Sequence, residues 1–321
     1  MSADPPATMS RAELIAFARD SIARGSRSFR FASKLFDKVT RERAWLLYAW
    51  CRACDDIADG QDHGGDMTPP TEAEAAERAA RVRSLTDRAW AGEPTGEPAF
   101  DALAQLRREV PIERRFVDAL LEGFDRDADG WRPRSEADLF SYCYNVAGSV
   151  GCMMAQVMGV PADDEDTLDR ACDLGIAFQL ANISRDIAED YAGDRLYLPE
   201  EWLTDTDIPP GMHMHPMYRK RLAVMAKWLA EFVDMYEASA RIGAARLPLR
   251  SRWAVLSAAG IYGRIAREVH ARGEKAWDHR VTTSKAEKLE DVARAAVRAL
   301  RPRATTRDAR RRVDLWTRPH N

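Results

Sequence analysis

The chain has 321 residues, of which 45% are hydrophobic and 31% charged, with a formal net charge of −3. That balance belongs to a folded protein with enough chain for a sizeable core. The small net charge excludes a global field steering the molecule to nucleic acid, so charge must act locally. Five cysteines (Cys51, Cys54, Cys143, Cys152 and Cys172) all fall in helix-like stretches. With an odd count and an N-terminal MSADPPATMS lacking a basic or apolar secretory signature, a reducing, cytoplasmic compartment is expected.

Helical periodicity dominates and no stretch alternates as a strand would. Helices are predicted over 10–34, 41–60, 72–91, 98–109, 113–127, 136–159, 164–191, 217–243, 251–273 and 284–301. Turn chemistry separates them at GQDHGGDMTPP, AGEPTGEP, DGWRPRS, TDIPPGMHMHP and RLPLR. The expected architecture is one all-α domain over 1–301 followed by a basic C-terminal tail, 302–321. The last 21 residues hold seven arginines and read either as a solvated tail or as a contact for an anionic membrane surface. The most apolar stretch, Val146 to Val160, is too short for a membrane span and reads as a buried helix. Within it Gly148 and Gly151 admit two readings: close helix packing, or room for a long hydrocarbon beside Met153, Met154 and Met158.

Two acidic clusters carry the chemistry. On the helix predicted over 41–60, Tyr48, Arg52, Asp55 and Asp59 form one stripe. On the helix predicted over 164–191, Gln179, Asn182, Asp186 and Asp190 form another, flanked by Arg185. Both segments are otherwise apolar and therefore buried, and carboxylates at i,i+4 on a buried helix repel unless neutralised. Arg52 and Arg185 can neutralise them as ion pairs. Alternatively, hard cations bridge the carboxylates, as Mg²⁺ does when it is held by one or two carboxylates together with substrate phosphates. Two such pairs favour Mg²⁺-diphosphate chemistry in a helical bundle. Cys51-x-x-Cys54 has no partner motif for zinc, His213 and His215 lie in a Pro-rich loop and are expected at the surface, and no phosphate-loop or dinucleotide fingerprint occurs.

The stretches GSRSFRFASKLF, YAWCRACDDIAD, LLEGF, YCYNVAGSVGCMMAQVMGV, LDRACDLGIAFQLANISRDIAED, RLYLP, LPLRSRWA and KAWDHR run in order from about residue 20 to 285. With both aspartate motifs among them, the chain resembles the squalene/phytoene synthase family of head-to-head prenyl transferases. The resemblance implies an isoprenoid-synthase-type helical bundle with a central substrate cavity. It implies that Asp55, Asp59, Asp186 and Asp190 bind Mg²⁺ or Mn²⁺. Ser26, Ser28, Tyr48, Arg52, Arg185 and Tyr262 would contact diphosphate, Phe29 would open the tail channel, and Gln179, Asn182 and Tyr142 would line the reaction cavity. Two positions depart from the family pattern: Arg126 stands where an apolar residue is expected, although the neighbouring Asp127 fits, and Gly25 stands where relatives often carry histidine.

The implied reaction condenses two geranylgeranyl diphosphates through a cyclopropyl intermediate to phytoene, with no NADPH. The implied partners are the diphosphate substrate, a downstream carotenoid-pathway enzyme and a peripheral membrane surface. Three other readings stay open: a C15 dehydrosqualene-forming relative, a terpene cyclase, and a non-catalytic binding protein of the same family. The last would be expected to lose motif aspartates, and this chain keeps all four.

Overall fold

The computed structural model describes residues 9–25, 27–60, 71–300, 312 and 314–320, and at 27 and 28 the backbone alone. The described residues form an all-helical bundle. The predicted first helix is two, α1 (Arg11–Gly25) and α2 (Arg27–Ser33). Helix α3 (Lys38–Ala58) is capped by Asp37, whose carboxylate accepts the Thr40 N–H at 3.0 Å. Its other end places Asp55 in the last turn and Asp59 at the C-cap. Helix α4 (Glu72–Ala91) starts with a Thr71/Glu74 capping box, and α5 (Pro98–Glu109) and α6 (Arg114–Ala128) follow.

The helix predicted over 136–159 is three pieces. A capping box at Ser135 and Asp138 starts α7 (Glu136–Cys143), a π-helical turn covers Tyr144–Gly148, and α8 (Ser149–Val157) continues. The turn is pinned by Asn145, whose amide donates to the Ala119 carbonyl on α6 at 2.8 Å. Such bulges re-aim side chains and cluster at functional sites; here Val146 and Ala147 line the central cavity.

Helix α9 (Glu165–Ala192), 28 residues and roughly 42 Å long, is the central element. It is buried around most of its circumference and packs against α8, α11 (Arg219–Ala244) and α12 (Leu249–Arg272). The short α10 (Glu200–Asp205), unforeseen from the sequence, lies between α9 and α11, and α13 (Lys285–Leu300) covers α12. No described helix is long and apolar enough to cross a membrane.

Gly148 and Gly151 are both packing glycines, and Gly151 also lines the cavity. A Cβ on Gly151 would stand 2.4 Å from the Ala171 carbonyl oxygen, and one on Gly175 would stand 2.2 Å from that of Ala147. Glycine at these positions lets α8 and the π turn lie directly on α9. Met154 and Met158 do line the cavity, while Met153 is wholly buried in the core.

The described C-terminal residues, 312 and 314–320, depart from the solvated-tail expectation. Leu315 is buried, Trp316 lies 5.8 Å from the Tyr144 ring, and Arg318 is only 2% exposed. Arg312 pairs with Asp173 at 3.0 Å and Asp169 at 3.2 Å; Arg318 pairs with Asp169 at 2.9 Å and with Glu165. The carboxylates of α9 thus claim the two described arginines of this stretch.

Replacing Gly175 by alanine should force the π turn off α9. We expect a loss of about 1–3 kcal/mol, read as a lower denaturation midpoint; an unchanged midpoint would show that the contact can relax.

Candidate active site

A cavity of about 1210 Å³ runs alongside α9 between α3, α6, α8 and α12. It exceeds the ~300–1,000 Å³ of most small-molecule sites. One end is polar and holds Asp55, Asp59, Asp186 and Asp190 with Tyr48, Arg52, Gln179, Asn182, Arg185 and Tyr262. Away from it the walls become apolar, with Leu120, Val150, Met154 and Leu174. Phe29 lines the cavity and stacks on Tyr48 with ring centroids 5.3 Å apart. Ser26 and the side chain of Ser28 lie outside the described residues.

Each aspartate motif carries its own cation. Arg52 donates to Asp55 at 2.8 Å and pairs with Asp56 at 2.6 Å. Arg185 grips Asp186 with two donors, Nε to Oδ1 at 2.6 Å and Nη2 to Oδ2. Two further arginines were not singled out from the sequence. Arg280 reaches Asp186 at 2.8 Å, delivered by a segment whose Trp277 indole N–H donates to the Ser184 carbonyl on α9 at 3.0 Å. Arg195 joins the motifs. Its backbone N–H donates to the Asp190 carbonyl at 2.8 Å, and its guanidinium stands 3.5 Å from Asp59 on α3. Both residues sit in stretches already legible as motifs, RLYLP and KAWDHR; what the sequence hides is which side chain turns to the carboxylates.

Asp127 also gains a place. Its carboxylate accepts the Tyr142 hydroxyl on both oxygens at 3.0 Å and the Tyr197 hydroxyl at 3.1 Å. The two tyrosine rings stack at 4.9 Å, and Tyr142 stacks on Trp131 at 5.4 Å. Tyr142 is thus a cavity residue as well as a buried one. Arg126 turns away to Glu122 and Ser141, so its departure from the family pattern leaves the cavity untouched. Gly25 has a local reason: a Cβ there would meet the Tyr48 hydroxyl at 2.3 Å. His213 corrects an expectation: it is 3% exposed, with Tyr191 edge-on to its ring at 4.9 Å, and burial lowers its pKa.

Removal from bulk water pushes Asp55 and Asp127 up to about 6 and Asp190 up to about 7. Neighbouring carboxylates add to this at Asp55 and Asp190, whereas the tyrosine hydroxyls oppose it at Asp127. All-oxygen carboxylate donors of this kind suit a hard divalent cation, whose charge would relieve their repulsion. A different acidic group, Glu165 and Asp169 with His320, lies at the other end of α9, where Arg115, Arg312 and Arg318 already pair with its carboxylates.

The family profile described as squalene/phytoene synthase matches residues 22–307. The chain belongs to the squalene/phytoene synthase family. It is 43% identical to a phytoene synthase of Pseudescherichia vulneris, over 97% of this chain and 100% of that one. It is 40% identical to a 15-cis-phytoene synthase of Pantoea ananas, with the same coverage. Among solved structures, a dehydrosqualene synthase in complex with ligand superposes with a TM-score of 0.77 at 25% identity, covering 89% of this chain and 96% of that one. The fold is therefore the all-α isoprenoid-synthase fold, and the chain is a prenyl transferase of the divalent-metal-dependent type.

The raised carboxylates fix a sign. A folded state that holds protons longer than the unfolded chain loses stability as pH rises through the window, here about 4 to 7 for Asp190. In chelator-treated protein, Asp190→Asn should gain midpoint temperature relative to wild type between pH 4.5 and 8, on the order of 1–3 °C. A difference that does not change with pH would contradict the assignment.

Proposed function

We propose that this chain condenses two geranylgeranyl diphosphates head to head to give phytoene and two diphosphates. The observation that carries this reading is the single cavity in which both aspartate motifs meet at one end and an apolar channel leads away from it. In the first half-reaction the C1–O bond of one substrate breaks, and its allylic cation is attacked by the C2–C3 double bond of the other. Loss of a proton closes a cyclopropane that still bears the second diphosphate. In the second half-reaction that diphosphate departs, the ring rearranges, and another proton is lost.

Asp55, Asp59, Asp186 and Asp190 would hold Mg²⁺, which when bound supplies Lewis-acid help to the departing diphosphate. Arg52, Arg185, Arg195 and Arg280, already gathered at these carboxylates, would turn part of their charge to the phosphate oxygens, a role suited to guanidinium geometry. Tyr48 and Tyr262 border the same end, Tyr262 stacked on Phe178 at 4.3 Å. The apolar walls exclude water that would quench the cations to alcohols, while the amides of Gln179 and Asn182 offer dipoles without a nucleophile strong enough to trap them. Tyr142 would serve as the proton acceptor: its oxygen would take the substrate proton as its own hydroxyl proton passes to Asp127, a reading supported by their hydrogen bond and by the raised proton affinity of Asp127.

The deciding assay gives purified protein and Mg²⁺ either the C15 or the C20 diphosphate, with and without NADPH, and identifies the hydrocarbons. Phytoene from the C20 substrate alone, lost in Asp55→Ala and Asp186→Ala, is the expected result. A C30 product would keep the mechanism and change the substrate, and no diphosphate release would reject the enzymatic reading.

Asp127→Asn should lower kcat by about 10²–10⁴-fold, the usual worth of a general acid–base group, with KM little changed. A rise in KM at constant kcat would instead place Asp127 in diphosphate binding.

A further inference from the structure

The π turn Tyr144–Gly148 puts Val146 and Ala147 into the channel wall, and three parts of the molecule hold it there. Helix α6 is one: the Asn145 amide donates to the Ala119 carbonyl at 2.8 Å, and a Cβ on Gly123 would stand 2.7 Å from Val146 Cγ1. Helix α9 is another, since a Cβ on Gly148 would meet Cys172 Sγ at 2.8 Å. The third is the C-terminal segment. The Tyr144 ring folds back over the turn, 3.3 Å from where a Gly148 Cβ would be, and the Trp316 ring lies against it with centroids 5.8 Å apart. A π turn carries one residue more than the α-helical ladder accommodates, so contacts outside the helix must fix its shape.

Trp316 is tethered on both sides. Before it in the chain, Arg312 reaches Asp173 at 3.0 Å and Asp169 at 3.2 Å. The same guanidinium donates to the Thr317 hydroxyl at 3.3 Å and to the Trp316 carbonyl at 3.5 Å. After it, Arg318 pairs with Asp169 at 2.9 Å and lies 5.4 Å from the Phe116 ring centroid on α6, while His320 Nε2 stands 3.0 Å from Asp169. Leu315 is buried beside them. Asp169 and Asp173 are one turn apart, so a single face of α9 anchors the segment. Neither Trp316 nor these anchors line the cavity, so any effect on the chemistry must pass through the π turn.

We propose that the C-terminal segment clamps the channel wall: Trp316, tethered through Arg312 and Arg318, holds Tyr144 and with it the π turn, which makes Trp316 a positioning residue for the carbocation steps. This rests on the prenyl diphosphate condensation proposed above. With the clamp in place, Val146 and Ala147 keep that wall closed to water. With it slack, water reaches the allylic or cyclopropylcarbinyl cation. A C–O bond then forms, one water proton passes to the released diphosphate, and an alcohol leaves in place of the hydrocarbon. The diphosphate end is remote, because Asp186 lies thirteen residues beyond Asp173, about 20 Å along α9.

The test gives the full chain Mg²⁺ and C20 diphosphate and measures the ratio of alcohols to hydrocarbon among the products. In Trp316→Ala the ratio should rise about fivefold or more, with KM within about twofold of wild type. Trp316→Phe, which keeps a ring on Tyr144, should bring it back to within about twofold. A product ratio does not depend on how much of the protein is folded, so destabilisation alone would leave it unchanged. If the alanine variant does not fold, Trp316→Leu, which keeps apolar bulk without an aromatic ring, carries the same expectation. Without substrate, amide hydrogen exchange across residues 144–148 should quicken about tenfold in the same variant. An unchanged product ratio in the folded variant, whether or not exchange quickens, would overturn the positioning role and leave the condensation standing. Absence of turnover by the wild type, with exchange still quickened in the variant, would overturn the condensation instead.

Discussion

Carboxylates drawn together in a water-poor space need cations, and that constraint organises the functional half of this molecule. Asp55, Asp59, Asp127, Asp186 and Asp190 share one end of the cavity. Desolvation, with repulsion from neighbouring carboxylates, favours the protonated form of Asp55, Asp127 and Asp190. Arg52, Arg185, Arg195 and Arg280 offset the repulsion from four different stretches of chain. The ion-pair and cation-binding readings of the motifs are therefore compatible. On the proposed reading, the same guanidinium groups that pair the carboxylates would turn toward an anionic ligand when a divalent cation takes over their compensating role.

The opposite requirement governs the other end. Carbocation chemistry needs a dry channel with weak dipoles, and α9 serves both ends because one helix can change the character of its cavity-facing residues along its length. Near its C-terminus that face is Asp190, Asp186, Asn182 and Gln179; farther back it becomes Phe178, Gly175 and Leu174. The backbone approach permitted by Gly175 and Gly151, and the π turn that brings in Val146 and Ala147, keep the opposite wall close to this helix. At the N-terminal end, the paired arginines of the C-terminal segment tie the chain's last residues to the helix that holds the site.

Much of this was legible beforehand. The helical periods located every long helix, because amphipathic spacing is a local property that burial then enforces. The aspartate stripes were legible because i,i+3 and i,i+4 spacing fixes a shared helix face without reference to the rest of the fold. The π turn escaped notice since its extra residue leaves the apolar pattern of 136–159 nearly intact, and α10 because six residues are too few for a period to show. The burial of His213 could not be read from a Pro-rich loop, whose cover comes from distant elements such as Tyr191.

The sequence by itself determined an all-helical chain bearing two acidic stripes with an arginine at each, and the ordered motifs identified its family. Only the tertiary structure decided that Arg195 and Arg280 complete the charge balance and that Tyr142 and Tyr197 converge on Asp127. The physical reason is the range of the interactions. Helix spacing and capping act over a few residues, whereas each of these groupings joins side chains tens to more than a hundred positions apart, such as Asp59 with Arg195 or Asp173 with Arg312, and becomes visible only when packing brings them together.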